Sequence, residues 1–423
     1  MHPFNPIFAI IIFIIAFFTA YLVRLKYKMN YLKSRNESID GMRGFLAVAV
    51  FIHHAFIWHQ FLQSDSWEPP SSNLYAQLGQ TSVSLFFMIT SFLFISKLLK
   101  DREKGFNWRS FFLSRVFRIV PMYLFSILLI TISVMIISDW QINTKFSSFL
   151  GSIFHWIIFT IDERPDINNV ENMILINAGV EWSLPFEWLF YFSLPLVSIF
   201  LLKVKPKGSF IALSLLSIIA FYFAHGAKYY SIYPFIGGAV APLLIRYKVF
   251  NIKFDNFIVS IVILLCLFSI FYFKNGLTLR TILITIVFTC IAMGSTVFGL
   301  LRNSTLKLLG EISYSTYLLH GLVLFTIFNF GIGLENLKRW TPTEYSLVVF
   351  LITPLVIIVS VLGFKYIEEP FMNKSKLIIK KWNTPKYSSP TEREESNPDA
   401  DIIHIIKYPK KATHIQREEV SEN

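Results

Sequence analysis

Apolar residues run along this chain in blocks too long for one turn of core and too continuous for an alternating strand. A helix that crosses a membrane needs roughly 20 apolar residues, within a range of about 17–25. Such blocks fall near residues 7–23, 42–62, 81–97, 117–137, 183–202, 209–225, 231–246, 257–273, 279–300, 309–330 and 346–366. They predict an all-α fold, a polytopic transmembrane helix bundle of about eleven spans. The block at 147–161 is apolar but short, which predicts a re-entrant or interfacial helix. From about residue 373 the chain is polar, mixed in Ser, Pro, Glu and Lys and without apolar period, so disorder is expected there. No internal repeat is evident, which weakens a transporter built on inverted repeats.

Composition agrees with this pattern. Of 423 residues, 54% are hydrophobic and 16% charged, against about 25% charged in an ordinary globular domain. That excludes a soluble enzyme, a disordered protein and a disulfide-stapled secreted domain. The net charge of +12 would raise nucleic acid as a partner for a soluble domain. In a membrane protein it reflects Lys and Arg collected in cytoplasmic loops, and no nucleic acid is expected. Cys266 and Cys290 both lie in apolar runs. They offer neither a disulfide framework nor a CxxC metal motif, and no metal is expected.

The first block has no basic residue before it, whereas Arg24, Lys26, Lys28, Lys33 and Arg35 follow it. This is the wrong polarity for a cleaved signal and predicts a retained helix with its N-terminus outside. Alternating from there, inside loops hold about 20 Lys and Arg and outside loops about 7. The inside set includes Lys97 to Arg118, Lys203, Lys205, Lys207, Arg246, Lys248, Lys253, Arg302 and Lys307. The loop 63–80 and the acidic stretch of Asp162, Glu163, Asp166, Glu171 and Glu181 fall outside, and the C-terminal tail inside.

Ionisable residues within spans need a reason, because a charge at the bilayer centre costs about 2.5–3.5 kcal/mol on insertion scales. In IDGMRGFLAVAVFIHH, Arg43 and His54 fall within about 20° of one helix face and about 16 Å apart along it. An interface anchor explains Arg43 as well, and a satisfied buried imidazole is the alternative for His54. His53 points elsewhere on the helix. In FFLSRVFRIVP, Arg115 and Arg118 share a face and suit a phosphate-bearing ligand through forked hydrogen bonds. A topology-setting loop is the other account of that pair. In EWSLPFEWLFYF, Glu187 enters about 7 Å below the outer surface, between Trp182 and Trp188, which can both serve as interface anchors. In EISYSTYLLHG, Ser313, Tyr317 and His320 form an i, i+4, i+7 stripe, and His320 reaches about the depth of His54. Helix-packing hydrogen bonds explain Ser313 and Tyr314 equally well. By depth, Arg43, Arg115 and Arg118 lie at the cytoplasmic rim, and His54, Glu187 and His320 in the outer half. This arrangement fits an anionic donor inside and an acceptor outside.

Together these segments resemble acyltransferase family three, the bacterial integral-membrane O-acyltransferases. The matching residues are IDGMRGFLAVAVFIHH, SVSLFFMITSFLF, RVFRIVP, WSLPFEWLFY, ISYSTYLLH and IEEPF, in family order over about residues 38–372. Thr90-Ser91-Phe92-Leu93 stands where the family usually has Ser-Gly-Phe-Leu, a departure that bears on close packing rather than chemistry. The resemblance implies a ten-helix core at 38–372, an extra N-terminal helix and basic linker at 1–37, and a cytoplasmic tail at 373–423. It also implies residence in the bacterial inner membrane, among membrane lipids. With no hydrolase-like domain in these residues, acceptor handling is expected from the bundle and its outer loops.

The implied activity is transfer of an acyl group, commonly acetyl, to a hydroxyl of an extracytoplasmic glycan or lipid-linked saccharide. O-antigen of lipopolysaccharide, capsule and exopolysaccharide are all open as acceptors. Acyl-CoA serves as co-substrate, with no bound cofactor. His54 and Glu187 are the implied catalytic residues, and Arg43, Arg115 and Arg118 bind the donor. Asp40, Trp182, Ser313, Tyr314, Tyr317 and His320 support them. His54 acts as general base or carries the acyl group covalently, and Glu187 orients the acceptor or polarises an imidazole. A transporter of a lipid-linked sugar or small anion is the alternative from another class.

Overall fold

The computed structural model describes residues 1–26, 36–101, 105–160, 164–202, 206–225, 231–274 and 276–383. Lys28, Lys33, Arg35, Asp162, Glu163, Lys203 and Lys205, and the tail from residue 384, lie outside the described residues. Each of the eleven apolar blocks holds a helix. α1 (Pro6–Lys26), α2 (Glu37–Ser64), α3 (Asn73–Asp101) and α4 (Trp108–Ile137) are long and apolar enough to cross a membrane. α5 (Phe146–Ile157) and α6 (Ile174–Asn177) are short, and α7 (Ser183–Leu202) continues a single 3-10 turn to make another spanning length. α8 (Gly208–His225), α9 (Tyr233–Arg246), α10 (Phe257–Tyr272) and α11 (Leu277–Ala292) are shorter apolar helices. α12 (Ser304–Glu311) leads into α13 (Ser313–Phe325), and α14 (Leu334–Lys338) precedes α15 (Pro342–Gly363). α13 with its π-helical continuation, and the run beginning with α15, complete the seven spanning lengths among the described residues. No strand occurs among the described residues, only an isolated bridge between Ile167 and Val170.

These helices are apolar all round, as expected where one face meets protein and the other meets lipid. On α1, Phe8, Ile12 and Ala16 are buried while Ile10, Ile14 and Phe18 are exposed. On α15, Val349, Ile352 and Val356 are buried while Leu347, Leu351 and Leu355 are exposed. The block expected at 147–161 is a single helix of 12 residues, about 18 Å long and too short to span. It docks on α4 through the Tyr123 hydroxyl, which donates to the Trp156 carbonyl at 2.6 Å.

Two boundaries differ from expectation. The block at 279–300 stops being helical at Ala292, because Gly294 (φ +116°) and Gly299 (φ +83°) take left-handed conformations that turn the chain. The polar segment from residue 373 is not irregular throughout. α16 (Glu369–Asn383) runs through its first part, which corrects the expectation of disorder there. Among the described residues, those from 376 to 383 fall outside the compact unit Met1–Ser375.

Close packing is set by glycines. Gly41 and Gly44 on α2 face Leu301 and Leu306, and Gly310 on α12 faces the Asp40 carbonyl, so both backbones touch. Between α3 and α9 the glycines are on α9. Gly237 and Gly238 lie against Met88. The Ser91 hydroxyl, at the family's usual glycine position, donates to the Phe235 carbonyl at 2.6 Å. The departure therefore keeps the helices close by a hydrogen bond instead of an absent side chain. Gly310→Ala places a methyl group onto the Asp40 carbonyl, and overpacking of this kind costs about 1–3 kcal/mol. Thermal unfolding of the purified variant is expected to show a clearly lowered midpoint, and an unchanged midpoint contradicts the contact.

Candidate active site

α13 places a polar stripe in the middle of the bundle. Arg43 Nη2 on α2 donates to Ser313 Oγ at 3.0 Å. The Tyr314 hydroxyl donates to the Ile119 carbonyl on α4 at 2.9 Å. The Ser315 hydroxyl donates to Glu368. The Tyr317 hydroxyl donates to the Val180 carbonyl at 2.8 Å and lies 2.8 Å from Ser183 Oγ. His320 Nε2 lies 2.8 Å from His54 Nδ1. The i, i+4, i+7 face expected of Ser313, Tyr317 and His320 is thus the face turned to α2 and α7.

The imidazole pair has a fixed sense. His320 Nδ1 lies 2.9 Å from the Thr316 carbonyl, which can only accept, so Nδ1 carries the proton. Nε2 of a neutral His320 is then an acceptor, and His54 Nδ1 donates to it. This leaves His54 Nε2 with a free lone pair, the state a general base requires. His320 is fully buried, whereas His54 keeps some accessible surface. His54 is therefore the member of the pair that can meet a substrate. His53 turns away and bonds the Tyr75 carbonyl at 2.8 Å.

Next to this pair lies a cavity of about 390 Å³ between α2, α3, α4, α7 and α13. Arg43, Arg115 and Arg118 line it together, with Asp40, Ser313 and Tyr314. Its lining also includes Ser183, Phe86, Glu187 and Tyr317. Neither imidazole is among the lining residues. Tyr317 is the lining residue beside them, its ring centroid 6.3 Å from that of His320. Arg118 is salt-bridged to Glu368 at 3.0 Å and also donates to Met372 Sδ at 2.7 Å. The Arg115 guanidinium sits 4.9 Å over the Phe94 ring. Among the described residues neither Arg43 nor Arg115 forms a salt bridge, so two guanidiniums face the cavity without a carboxylate bound to them. Glu311 also lines the cavity, so it is mixed in charge.

One expected depth is wrong. Glu187 is not at the level of the histidines. It lines the arginine cavity, within electrostatic range of Arg115, Arg118 and Arg43, and accepts the hydroxyl proton of Tyr191. The cause is the chain before α7. Residues 174–182 do not run along the outer surface but fold into the bundle, with Asn177, Val180 and Glu181 buried. Gly321 on α13 admits them, because a Cβ there would overlap Asn177. α7 therefore starts inside the bundle, and every residue on it lies deeper than a count from the surface gives. Glu181, expected in the acidic stretch on the outer side, is 1% exposed, salt-bridged to Arg164 and bonded by Asn177 Nδ2 at 2.7 Å. Trp182 stands apart from the other supporting residues, 43% exposed beside a different cavity.

Three residues escaped the sequence analysis as site members. Glu368 sits in IEEPF and is buried by the π-helical turn Phe364–Glu368 that ends α15. Tyr191 follows Glu187 by one helical turn, and Ser183 opens α7. The i, i+4 spacing of Glu187 and Tyr191 was a readable signal for that pair. The other two lie in the quoted motifs WSLPFEWLFY and IEEPF, which marked their segments but not their roles.

A family model described as an acyltransferase domain matches residues 36–365. An O-acetyltransferase, so named provisionally, from Staphylococcus aureus strain COL is 24% identical over 382 residues. That match covers 81% of this chain and 58% of the relative. O-acetyltransferase OatA of Staphylococcus aureus strain NCTC 8325 is 22% identical over 374 residues, covering 79% of this chain and 57% of OatA. The chain thus spans a little over half the length of these relatives. No solved structure gives a significant match. With the polytopic helical bundle, the in-order motifs and a family model spanning most of its length, the chain belongs to acyltransferase family three.

Proposed function

We propose that this protein transfers an acyl group, acetyl in the simplest case, from acyl-CoA to a hydroxyl of an extracytoplasmic glycan. The observation that carries the proposal is the joining of three arginines, through one cavity, to the surroundings of a hydrogen-bonded imidazole pair. The excess of Lys and Arg in the loops at the arginine end supports a cytoplasmic location for that end. Arg43 and Arg115 hold the donor's phosphates at the mouth, since guanidinium forks match phosphate oxygens. The cavity is at the small end of the range for ligand pockets, about 300–1,000 Å³. It suits the slender pantetheine arm, with the nucleotide left at the rim and the thioester near Ser183 and Tyr317.

The acceptor hydroxyl oxygen attacks the acyl carbonyl carbon as His54 Nε2 takes its proton. The carbon–sulfur bond breaks, and the proton passes to the departing thiolate, giving an ester and free CoA. His320 holds His54 in the tautomer that can do this and acts through it as a positioning residue. Glu187 orders the arginine cluster, and its position supports no direct contact with an imidazole.

His54→Ala is expected to lower acetyl transfer by about 10²–10⁴-fold while membrane insertion and donor affinity stay unchanged. Near-normal transfer in that variant contradicts the base role. His320→Ala is expected to lower kcat and alter the pH profile with the KM for acetyl-CoA unchanged. A loss confined to expression or thermal stability reduces His320 to a packing residue. Arg115→Ala is expected to weaken acetyl-CoA binding about tenfold or more in a direct binding measurement, and unchanged affinity contradicts the donor site.

A further inference from the structure

A second cavity, of about 260 Å³, lies beside the first, nearer the start of α3. Gln80, Trp182, Ser231 and Arg280 line it, and Val83 and Phe87 line both cavities. α2 and α3 are consecutive and joined by a short loop, so they run antiparallel. Gln80, early in α3, therefore lies toward the end of the bundle opposite Arg43, early in α2. Phe87 is the partition between the cavities. Its ring stacks on Phe235 at 4.6 Å and meets the edge of Trp182 at 6.4 Å.

Arg280 stands where a helix start and its described surroundings offer its charge no carboxylate. It occupies the first turn of α11, where the helix dipole disfavours a cation. It forms no salt bridge among the described residues. Its guanidinium is turned to Gln80, donating from Nη1 to Oε1 at 2.7 Å, a neutral partner that leaves its charge uncompensated. An arginine that merely anchored the helix would extend toward lipid phosphates. This one is held within a cavity, with a partly exposed indole on the same wall. A guanidinium with spare donors selects an oxyanion, and an indole face takes the apolar side of a sugar ring.

We infer that this second cavity is the acceptor site and that it takes an anionic saccharide, its carboxylate or phosphate on Arg280 and its ring on Trp182. The inference rests on the proposed acyl transfer and specifies its acceptor. A hydroxyl of the bound sugar then lies one aromatic side chain away from the inner end of the donor cavity.

The test is direct binding to the purified full chain, without acyl donor. The ligands are a uronic-acid oligosaccharide, a phosphorylated oligosaccharide, a neutral oligosaccharide and a soluble short-chain phosphatidylglycerol. At least one anionic sugar is expected to bind about tenfold more tightly than the neutral one, and the tighter of the two identifies the anion. Arg280→Ala should abolish that preference, and Trp182→Ala should weaken all three sugars. Unchanged acetyl-CoA affinity in both variants shows that they fold. Equal binding of neutral and anionic sugars overturns the inference. So does an Arg280→Ala effect confined to the phospholipid, which makes Arg280 a lipid anchor. Binding is read without donor and transfer in a separate assay with acetyl-CoA added, so sugar binding with no acetyl transfer in that second assay refutes the enzymatic reading and leaves the cavity assigned. Normal transfer with an unchanged acceptor KM in both variants refutes the cavity and leaves the enzymatic reading intact.

Discussion

Polar side chains in the dry middle of a helix bundle must find partners within the protein, and here one helix supplies them. From Ser313 to His320, α13 bonds Arg43 and His54 on α2, the Ile119 carbonyl on α4, the chain entering α7, and Glu368 beyond α15. An unpaired donor or acceptor at any of these points would carry a penalty of about 1–3 kcal/mol, and more for a charge. The stripe therefore fixes the register of four neighbours at once. It also fixes the chemistry, because the bonds that satisfy Arg43 and His54 are the bonds that aim them. Stability and function are written in the same residues.

The membrane spans were legible because apolar length is a strong signal and nothing in a bilayer competes with helix formation. The arginine cluster was legible from spacing. Arg115 and Arg118 share a face by i, i+3 geometry, and Arg43 lies on the face of α2 that carries His54. The pairing of His54 with His320 was foreshadowed only by their similar depth, since a sequence gives no azimuth between helices. Glu187 was misplaced because a buried loop looks, in sequence, like a surface loop. Residues 174–182 are mostly apolar but too few to span and follow a polar, turn-forming run, and they enter the bundle because Gly321 leaves space and Arg164 and Asn177 satisfy Glu181. Glu368 was hidden for a related reason. A carboxylate near the end of a span reads as surface until a π-helical turn rotates it inward onto Arg118.

The arrangement separates two tasks that a transmembrane transfer has to join. The arginines gather at one end, the second cavity lies toward the other, and Val83 and Phe87 of α3 line both. The imidazole pair stands beside Tyr317, close to the inner end of the first cavity but outside its lining. On the proposed reading a donor entering here meets apolar and hydroxyl-bearing side chains before it reaches His54, which would keep its thioester away from water. The mixed charge of the first cavity serves the same end, because carboxylates near the arginines keep the empty site from being a bare cluster of like charges.

The central claim is that the arginine-lined cavity holds the acyl donor with its reactive end pointing at the imidazole pair. The most direct measurement is an experimental structure of the full chain bound to a non-hydrolysable acetyl-CoA analogue. The account predicts phosphates within hydrogen-bond distance of Arg43 and Arg115, and the acyl carbon beside Ser183 and Tyr317 on the side facing His54. An analogue seated elsewhere, or one whose acyl group points out of the cavity toward lipid, contradicts it.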